Sequence, residues 1–166
     1  MSRVGIALGS NLGDRFAHLR AAAACLRGIA LPDHPFLEAS IYQTEPKLCP
    51  PGAPFFYNSV VEMAFGGSPS ELLDLTQAIE KKIGRQPVLV RNAPRVIDVD
   101  LLYFGDQIID TEPLVLPHPR LSERRFVLQP LAEICPHLVL PGFEVSIRVL
   151  LEQLDSEEAA LVPVTG

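Results

Sequence analysis

Two aspartates stand one residue apart in the apolar run "RVIDVDLLYF". If Val96–Phe104 is a strand, its side chains alternate between faces, so Asp98 and Asp100 share one face while Ile97, Val99 and Leu101 take the other. Two like charges held side by side are destabilising unless a cation or strong donors compensate them. Hard cations such as Mg²⁺ are commonly held by one or two carboxylates plus substrate phosphates, and two ions roughly 3.5–4 Å apart can clamp a phosphoryl group. The plain alternative is a strand with one wet face. The apolar flanks, and the basic stretch running straight into the pair, weigh against it.

That basic stretch is part of a larger bias. Arg85, Arg91, Arg95, Arg120, Arg124 and Arg125 are six of the eleven arginines and fall within 41 residues. Guanidinium forks match phosphate oxygens, and phosphoryl transfer draws on positioning and positive charge more than on covalent help from protein. Arg91 and Arg120 are the two most easily explained as surface charge. His118, in "LPHPRL", lies between prolines that hold its backbone extended; its imidazole either donates to a phosphate or closes a turn. Phe55, Phe56, Tyr57 and Asn58, with Phe126 far along the chain, could stack on a flat heterocycle and read its edge through the amide. Aromatic residues on a strand are also ordinary core. "GSNLGDR" at 9–15 lacks the lysine and spacing of a phosphate loop, and reads as a helix start capped by Ser10 or Asn11.

The elements that must position these groups follow from periodicity and punctuation. "RVGIALG" (3–9) reads as a strand. A helix follows, with Leu12, Phe16, Leu19, Ala23 and Leu26 at helical spacing and Gly28 as its stop. "FLEASIYQTEP" and "FFYNSVVEMAF" read as two paired strands, separated by a loop rich in proline. Ser68, Pro69 and Glu71 mark the start of a second helix, whose apolar stripe is Leu72, Leu75, Ile79 and Ile83 and whose end is Gly84. "RQPVLVRNAPR" reads as a mobile loop that carries arginines into the Asp98 strand. A short hairpin in "DQIIDTEPLVLPHP", a helix across Glu123–Ile134, an amphipathic helix at Val145–Leu154 and a loosely held tail complete the chain. The order β-α-β-β-α-β predicts an α+β fold: a ferredoxin-like antiparallel sheet with helices packed on it, plus a C-terminal hairpin and helices.

Composition bounds the function. One domain spanning 1–166 is expected from the length, and 48% apolar with 20% charged residues is ordinary for a soluble globular chain. A net charge of −6 argues against nucleic acid or a membrane surface as partner. Cys25, Cys49 and Cys135 form no CxxC pair and read as reduced thiols, and no run approaches a membrane span or a signal peptide, so a cytoplasmic location is expected.

Taken in order, "ALGSNLGDR", "Y-x-T-x-P", "FYNSVV", "Q-x-I-E", "GR", "APRVIDVDLL", "LPHPRL" and "RRFVLQPL" resemble 6-hydroxymethyl-7,8-dihydropterin pyrophosphokinase, a folate-pathway family, over nearly the whole chain. The resemblance implies a monomeric, ATP-dependent transferase that moves pyrophosphate from ATP to the pterin hydroxymethyl group, leaves AMP and needs two Mg²⁺ ions. It implies that Asp98 and Asp100 hold the metal and, with Arg85 and Arg95, form the catalytic set. Gln77, Glu80, Arg85, Arg95, Ile97, His118 and Arg124 are implied to contact ATP. Thr44, Phe56, Asn58 and Phe126 are implied to hold the pterin, with the two rings as a sandwich and Asn58 reading its edge. Two stretches depart from the family pattern: Asn92 in "RNAPR" stands where "RWGPR" is common, and Lys47–Gly52 differs from the usual "TxPxG". Other readings are a Mg²⁺-dependent transferase acting on a nucleotide sugar, a binding module whose acids are surface charge, and a pterin-binding but inactive relative.

Overall fold

The strand through the middle of the sheet, β1 (Ser2–Ser10), pairs antiparallel with β4 (Phe56–Phe65) on one side and β5 (Asp98–Phe104) on the other. The computed structural model describes residues 1–44, 55–84, 96–154 and 160–165. Within them, β2 (Leu37–Glu38) and β3 (Ile41–Thr44) both pair with β4, and β8 (Val162–Val164) pairs with β3. The order β5-β1-β4-β3-β8 contains the ferredoxin-like arrangement expected from the sequence, extended by one edge strand. A small separate hairpin joins β6 (Ile109–Asp110) to β7 (Val115–Leu116).

Both sheet faces are covered, so β4 is buried on both sides from Asn58 to Phe65 and its apolar residues do not simply alternate with exposed ones. One core contains Val4, Ile6, Leu8, Val61, Met63, Val99 and Leu101 with α1 (Arg15–Ile29) and α2 (Pro69–Gly84). The other contains Val60, Leu102, Tyr103, Val127, Leu128 and Leu131, and is closed by α3 (Arg125–Ile134) and α4 (Ile147–Gln153). The C-terminal helices therefore roof the face opposite α1 and α2. A register shift in the β1–β5 ladder, between Gly5 and Ile6, lets neighbouring Leu102 and Tyr103 both join the second core.

Local chemistry sets the element ends. Ser68 and Glu71 form a reciprocal cap on α2: Ser68 N donates to Glu71 Oε1 at 3.2 Å and Glu71 N donates to Ser68 Oγ at 3.1 Å. Leu72 and Ile79 are buried as expected, but Thr76 takes the inward place assigned to Leu75, which is partly exposed. The α1 cap is Asp14, whose carboxylate accepts from Ala17 N at 3.1 Å, and not Ser10 or Asn11. Ser10 is still the last residue of β1, and both are fully buried, so the chain must first turn through Leu12 and Gly13, the latter at φ +69°. Leu12 consequently lies outside the helical stripe, and α1 runs past Gly28 to Ile29.

Three further expectations are corrected. The second strand is two pieces because Ser40 N leaves the ladder and donates to both Glu133 carboxylate oxygens at 3.1 and 3.0 Å. The helix predicted over Glu123–Ile134 is a 3₁₀ turn at Leu121–Glu123 followed by α3, and the next helix begins at Ile147 under a Ser146 cap. The tail is held at Val162–Val164, where Pro163 stands opposite Tyr42 on an edge strand that needs no further donor.

The second core has one tight approach. A Cβ built on Gly5 would overlap the Tyr103 ring, and the Tyr103 hydroxyl donates to Glu62, which also pairs with Arg3 at 3.0 Å and accepts from Cys135 Sγ at 3.1 Å. Burial and Glu62 together push the Cys135 thiol up to about 12, so it stays protonated. Gly5→Ala is expected to destabilise the protein by about 1–3 kcal/mol or more in urea unfolding, because the ring has no free space to move into. Unchanged stability would contradict this packing.

Candidate active site

Gly9 stands opposite Asp98 on one neighbouring strand and opposite Asn58 on the other, and Asn58 stands opposite Tyr42. Directly paired residues share a sheet face, so Asp98, Gly9, Asn58 and Tyr42 form one row across four strands. The next row holds Asp100, Ala7 and Val60. With strands about 4.8 Å apart, Asp98 and Asn58 are separated by roughly 10 Å of sheet. Only Gly9 lies between them. A Cβ there would sit 2.9 Å from Asn58 Nδ2, so the amide occupies the space a side chain would fill.

The amide is oriented from its other end. Thr44 Oγ1 donates to Asn58 Oδ1 at 2.6 Å, which leaves the amide nitrogen over Gly9. Phe56 is half-buried opposite Thr44 on the same face. Tyr57 points to the other face, where the Arg15 guanidinium lies 4.2 Å from its ring centroid and donates to Phe55 O at 2.6 Å. Of the aromatic run, then, Phe56 and Asn58 share the site face, Tyr57 packs away from it and Phe55 is exposed.

Alternation along β5 is as the sequence predicts: Ile97, Val99 and Leu101 are each 5% exposed, Asp98 is half-buried and Asp100 exposed. β5 is an outer strand, and Glu80 Oε2 accepts from Val99 N at 2.9 Å on its open edge. That bond fixes the backbone between the two aspartates. Gln77, one helical turn earlier on α2, is exposed. The acids fit a hard cation: two carboxylates share a face, and the adjacent strand offers only Gly9 and Ala7 there. Among the described residues no group of three or more His, Cys, Asp or Glu is placed to hold a metal, and Mg²⁺ commonly completes its shell with water and substrate oxygens.

His118 is brought beside β5 by its backbone, whose N–H donates to Leu102 O at 2.8 Å after the cis Leu116–Pro117 bond. Arg120 N donates to His118 Nδ1 at 3.1 Å, so the neutral ring carries its proton on Nε2. Burial, then Arg124 and Arg120, hold its pKa below the ordinary 6.5. Arg124 lies 5.4 Å from the Phe126 ring centroid, and Phe126 packs at the margin of the second core. Arg85, Arg91, Asn92 and Arg95, with the rest of the loop read as mobile, lie outside the described residues, as does Lys47–Gly52. Gly9 and Tyr42 share the row of Asp98 and Asn58, a placement that residue type and spacing do not single out. A glycine inside a strand pattern was the available signal for the first.

A two-sided α+β sheet that sets paired carboxylates and an anchored amide on one face, with a histidine held beside β5, has the polar groups of an enzyme that handles phosphate. The family profile described as 7,8-dihydro-6-hydroxymethylpterin-pyrophosphokinase matches residues 5–136, and the chain belongs to that family. It is an ATP-dependent pyrophosphokinase of folate biosynthesis. The 2-amino-4-hydroxy-6-hydroxymethyldihydropteridine pyrophosphokinase of Bacillus subtilis is 48% identical over 130 residues, 78% of this chain and 76% of that protein. The enzyme of the same name from Pseudomonas aeruginosa is 39% identical over 142 residues, 85% of each. The crystal structure of Plasmodium falciparum HPPK-DHPS wild type with SDX-DHP shares the fold, with a TM-score of 0.71 at 15% identity over 92% of this chain and 44% of that one. Among the described residues no helix is long and apolar enough to cross a membrane.

The histidine geometry gives a pH prediction. Above 6.5 His118 is neutral in both folded and unfolded chains; as pH falls below it, the unfolded chain takes up a proton that folded His118 resists, so stability is lost toward acid. Nitrogen-15 NMR is expected to show the Nε2–H tautomer at pH 7 and a protonation midpoint below 6.5. A midpoint at or above that value would contradict the assignment.

Proposed function

We propose that the chain transfers the β,γ-pyrophosphoryl group of ATP to the hydroxymethyl oxygen of 6-hydroxymethyl-7,8-dihydropterin, with two Mg²⁺ ions held at Asp98 and Asp100. The observation that carries this reading is the shared row: Asp98 and Asn58 flank the same glycine on one face. A substrate whose ring edge meets the Asn58 amide has its hydroxymethyl arm within reach of a triphosphate held at the acids.

The pterin lies between Phe56 and Phe126, with its polar edge on Asn58 and Thr44 holding the amide in register. Stacked rings supply area at little entropic cost. Gln77 and Glu80 lie on the nucleotide side, where Ile97, its side chain buried in the first core, offers its backbone, and His118, Arg124, Arg85 and Arg95 contact phosphate oxygens. His118 serves there as a neutral Nε2–H donor. The hydroxyl oxygen bonds to the β-phosphorus, the bridge from that phosphorus to the α-phosphate oxygen breaks, AMP leaves and the hydroxyl proton is released. Bound Mg²⁺ supplies charge neutralisation along the triphosphate. Alignment and charge placement carry the rate, and no covalent enzyme intermediate is involved.

AMP is expected only when both ATP and the pterin are supplied with Mg²⁺, together with a pterin diphosphate by mass spectrometry. AMP formed without pterin, or none from folded protein, would overturn the reading. Asp100→Ala should keep the fold, since the side chain is exposed, yet lower turnover by several orders of magnitude. Near-normal turnover would remove the metal from Asp100. Phe126→Ala should weaken pterin binding in a fluorescence titration and leave nucleotide binding nearly unchanged; equal losses would make Phe126 simply core.

A further inference from the structure

Helix α3 begins without a side-chain cap and contains Pro130. The i→i−4 pattern assigns the N–H of residue 130 to the carbonyl of Phe126, and proline has none to give. The turn that carries Phe126 is therefore weakly supported by its own helix and has to be fixed from outside.

Two contacts do so. Near the helix end, Glu133 accepts from Ser40 Oγ at 2.9 Å and from the Tyr42 hydroxyl at 2.5 Å, besides Ser40 N. In the middle, one residue before Pro130, Gln129 makes a two-way bond to the backbone of a single residue: Leu161 N donates to Gln129 Oε1 at 2.8 Å and Gln129 Nε2 donates to Leu161 O at 3.1 Å. Leu161 leads directly into β8, which is ladder-paired to β3 through Ile41–Val164, Tyr42–Pro163 and Gln43–Val162. β3 carries Thr44, the residue that orients Asn58. Phe126, Gln129 and Glu133 lie at i, i+3 and i+7, one stripe of the helix. The C-terminal segment thus ties the helix bearing one pterin-facing group to the strand bearing another. It lies beyond the 5–136 span matched by the family.

We infer that Leu161–Val164 is a strap acting through Gln129 as a positioning residue, which holds the Phe126 turn of α3 over β3 and so sets affinity for the heterocyclic substrate. This rests on the assignment of Phe126 to the pterin site. Losing both bonds lets the Phe126 turn drift from the position that stacks, while β5, α2 and His118 on the nucleotide side are untouched.

The test is a comparison of pterin and non-hydrolysable ATP analogue affinities, with KM and kcat, in the full chain and in Gln129→Leu, Gln129→Glu, Leu161→Pro and Phe126→Ala. Gln129→Leu is expected to raise the pterin Kd and KM about tenfold, with kcat and analogue Kd changed less than twofold. Gln129→Glu keeps the acceptor for Leu161 N but sets a carboxylate against Leu161 O, and Leu161→Pro keeps only the other half, so each should fall between wild type and Gln129→Leu or match it. Phe126→Ala separates the two failures. If it weakens pterin binding while the Gln129 and Leu161 variants do not, the strap is wrong; if it has no effect, the pterin assignment itself is wrong. Pterin and analogue affinities falling together in Gln129→Leu, alongside a lowered melting temperature, would also overturn the strap, since that pattern marks general loss of structure.

Discussion

The register of β1 is the constraint on which the site depends. A strand paired on both sides fixes the relative heights of its neighbours, and β1 sets Asp98 and Asn58 level with each other across Gly9. Because side chains alternate with a period of two, a slip of one residue in either ladder would turn the aspartates or the amide toward α1 and α2. Burial prevents that slip. Val4, Ile6 and Leu8 in β1, and Val99 and Leu101 in β5, are committed to the first core, so their intervening neighbours are committed to the site face.

Around that register, separate devices hold each group at its height. Glu80 fills the one backbone donor position between the acids on the outer edge of β5, Thr44 turns the Asn58 amide, and the Leu102 carbonyl holds His118 by its main chain. The end of the sheet is consequently preorganised, and hydrogen bonds that already exist cost no further ordering when substrates arrive. The opposite end of the same face is closed differently, by Glu62 with Arg3, Tyr103 and Cys135, a buried carboxylate that accepts donors from the two strands β1 and β5 and from the end of α3. That cluster fastens the C-terminal helices to the sheet without taking part in the site.

Local signals made much of this readable in the sequence. The Asp-x-Asp spacing within an apolar strand, the Ser68–Glu71 cap and the βαββαβ order each depend on near neighbours, and each appears as read. Contacts between distant residues were hidden. Asp14 replaces Ser10 and Asn11 as the α1 cap because β1 runs on through Ser10 and buries both polar side chains, a tertiary effect that capping preference cannot report. The break at Ser40 and the holding of the tail depend on Glu133 and Gln129, more than thirty residues away from either partner, with no periodicity to betray them. Gly9 and Tyr42 gain meaning only from the residues opposite them.

The most direct test is a crystal structure of the ternary complex with the pterin, a non-hydrolysable ATP analogue and Mn²⁺ in place of Mg²⁺, with the metal located by anomalous scattering. Mn²⁺ bound by Asp98 and Asp100 and by triphosphate oxygens, with the pterin edge on Asn58 and its hydroxymethyl arm extending across Gly9 toward the metal, is the predicted result. Metal bound away from both aspartates, or a pterin that does not meet Asn58, would contradict the claim that the register of β1 builds the active site.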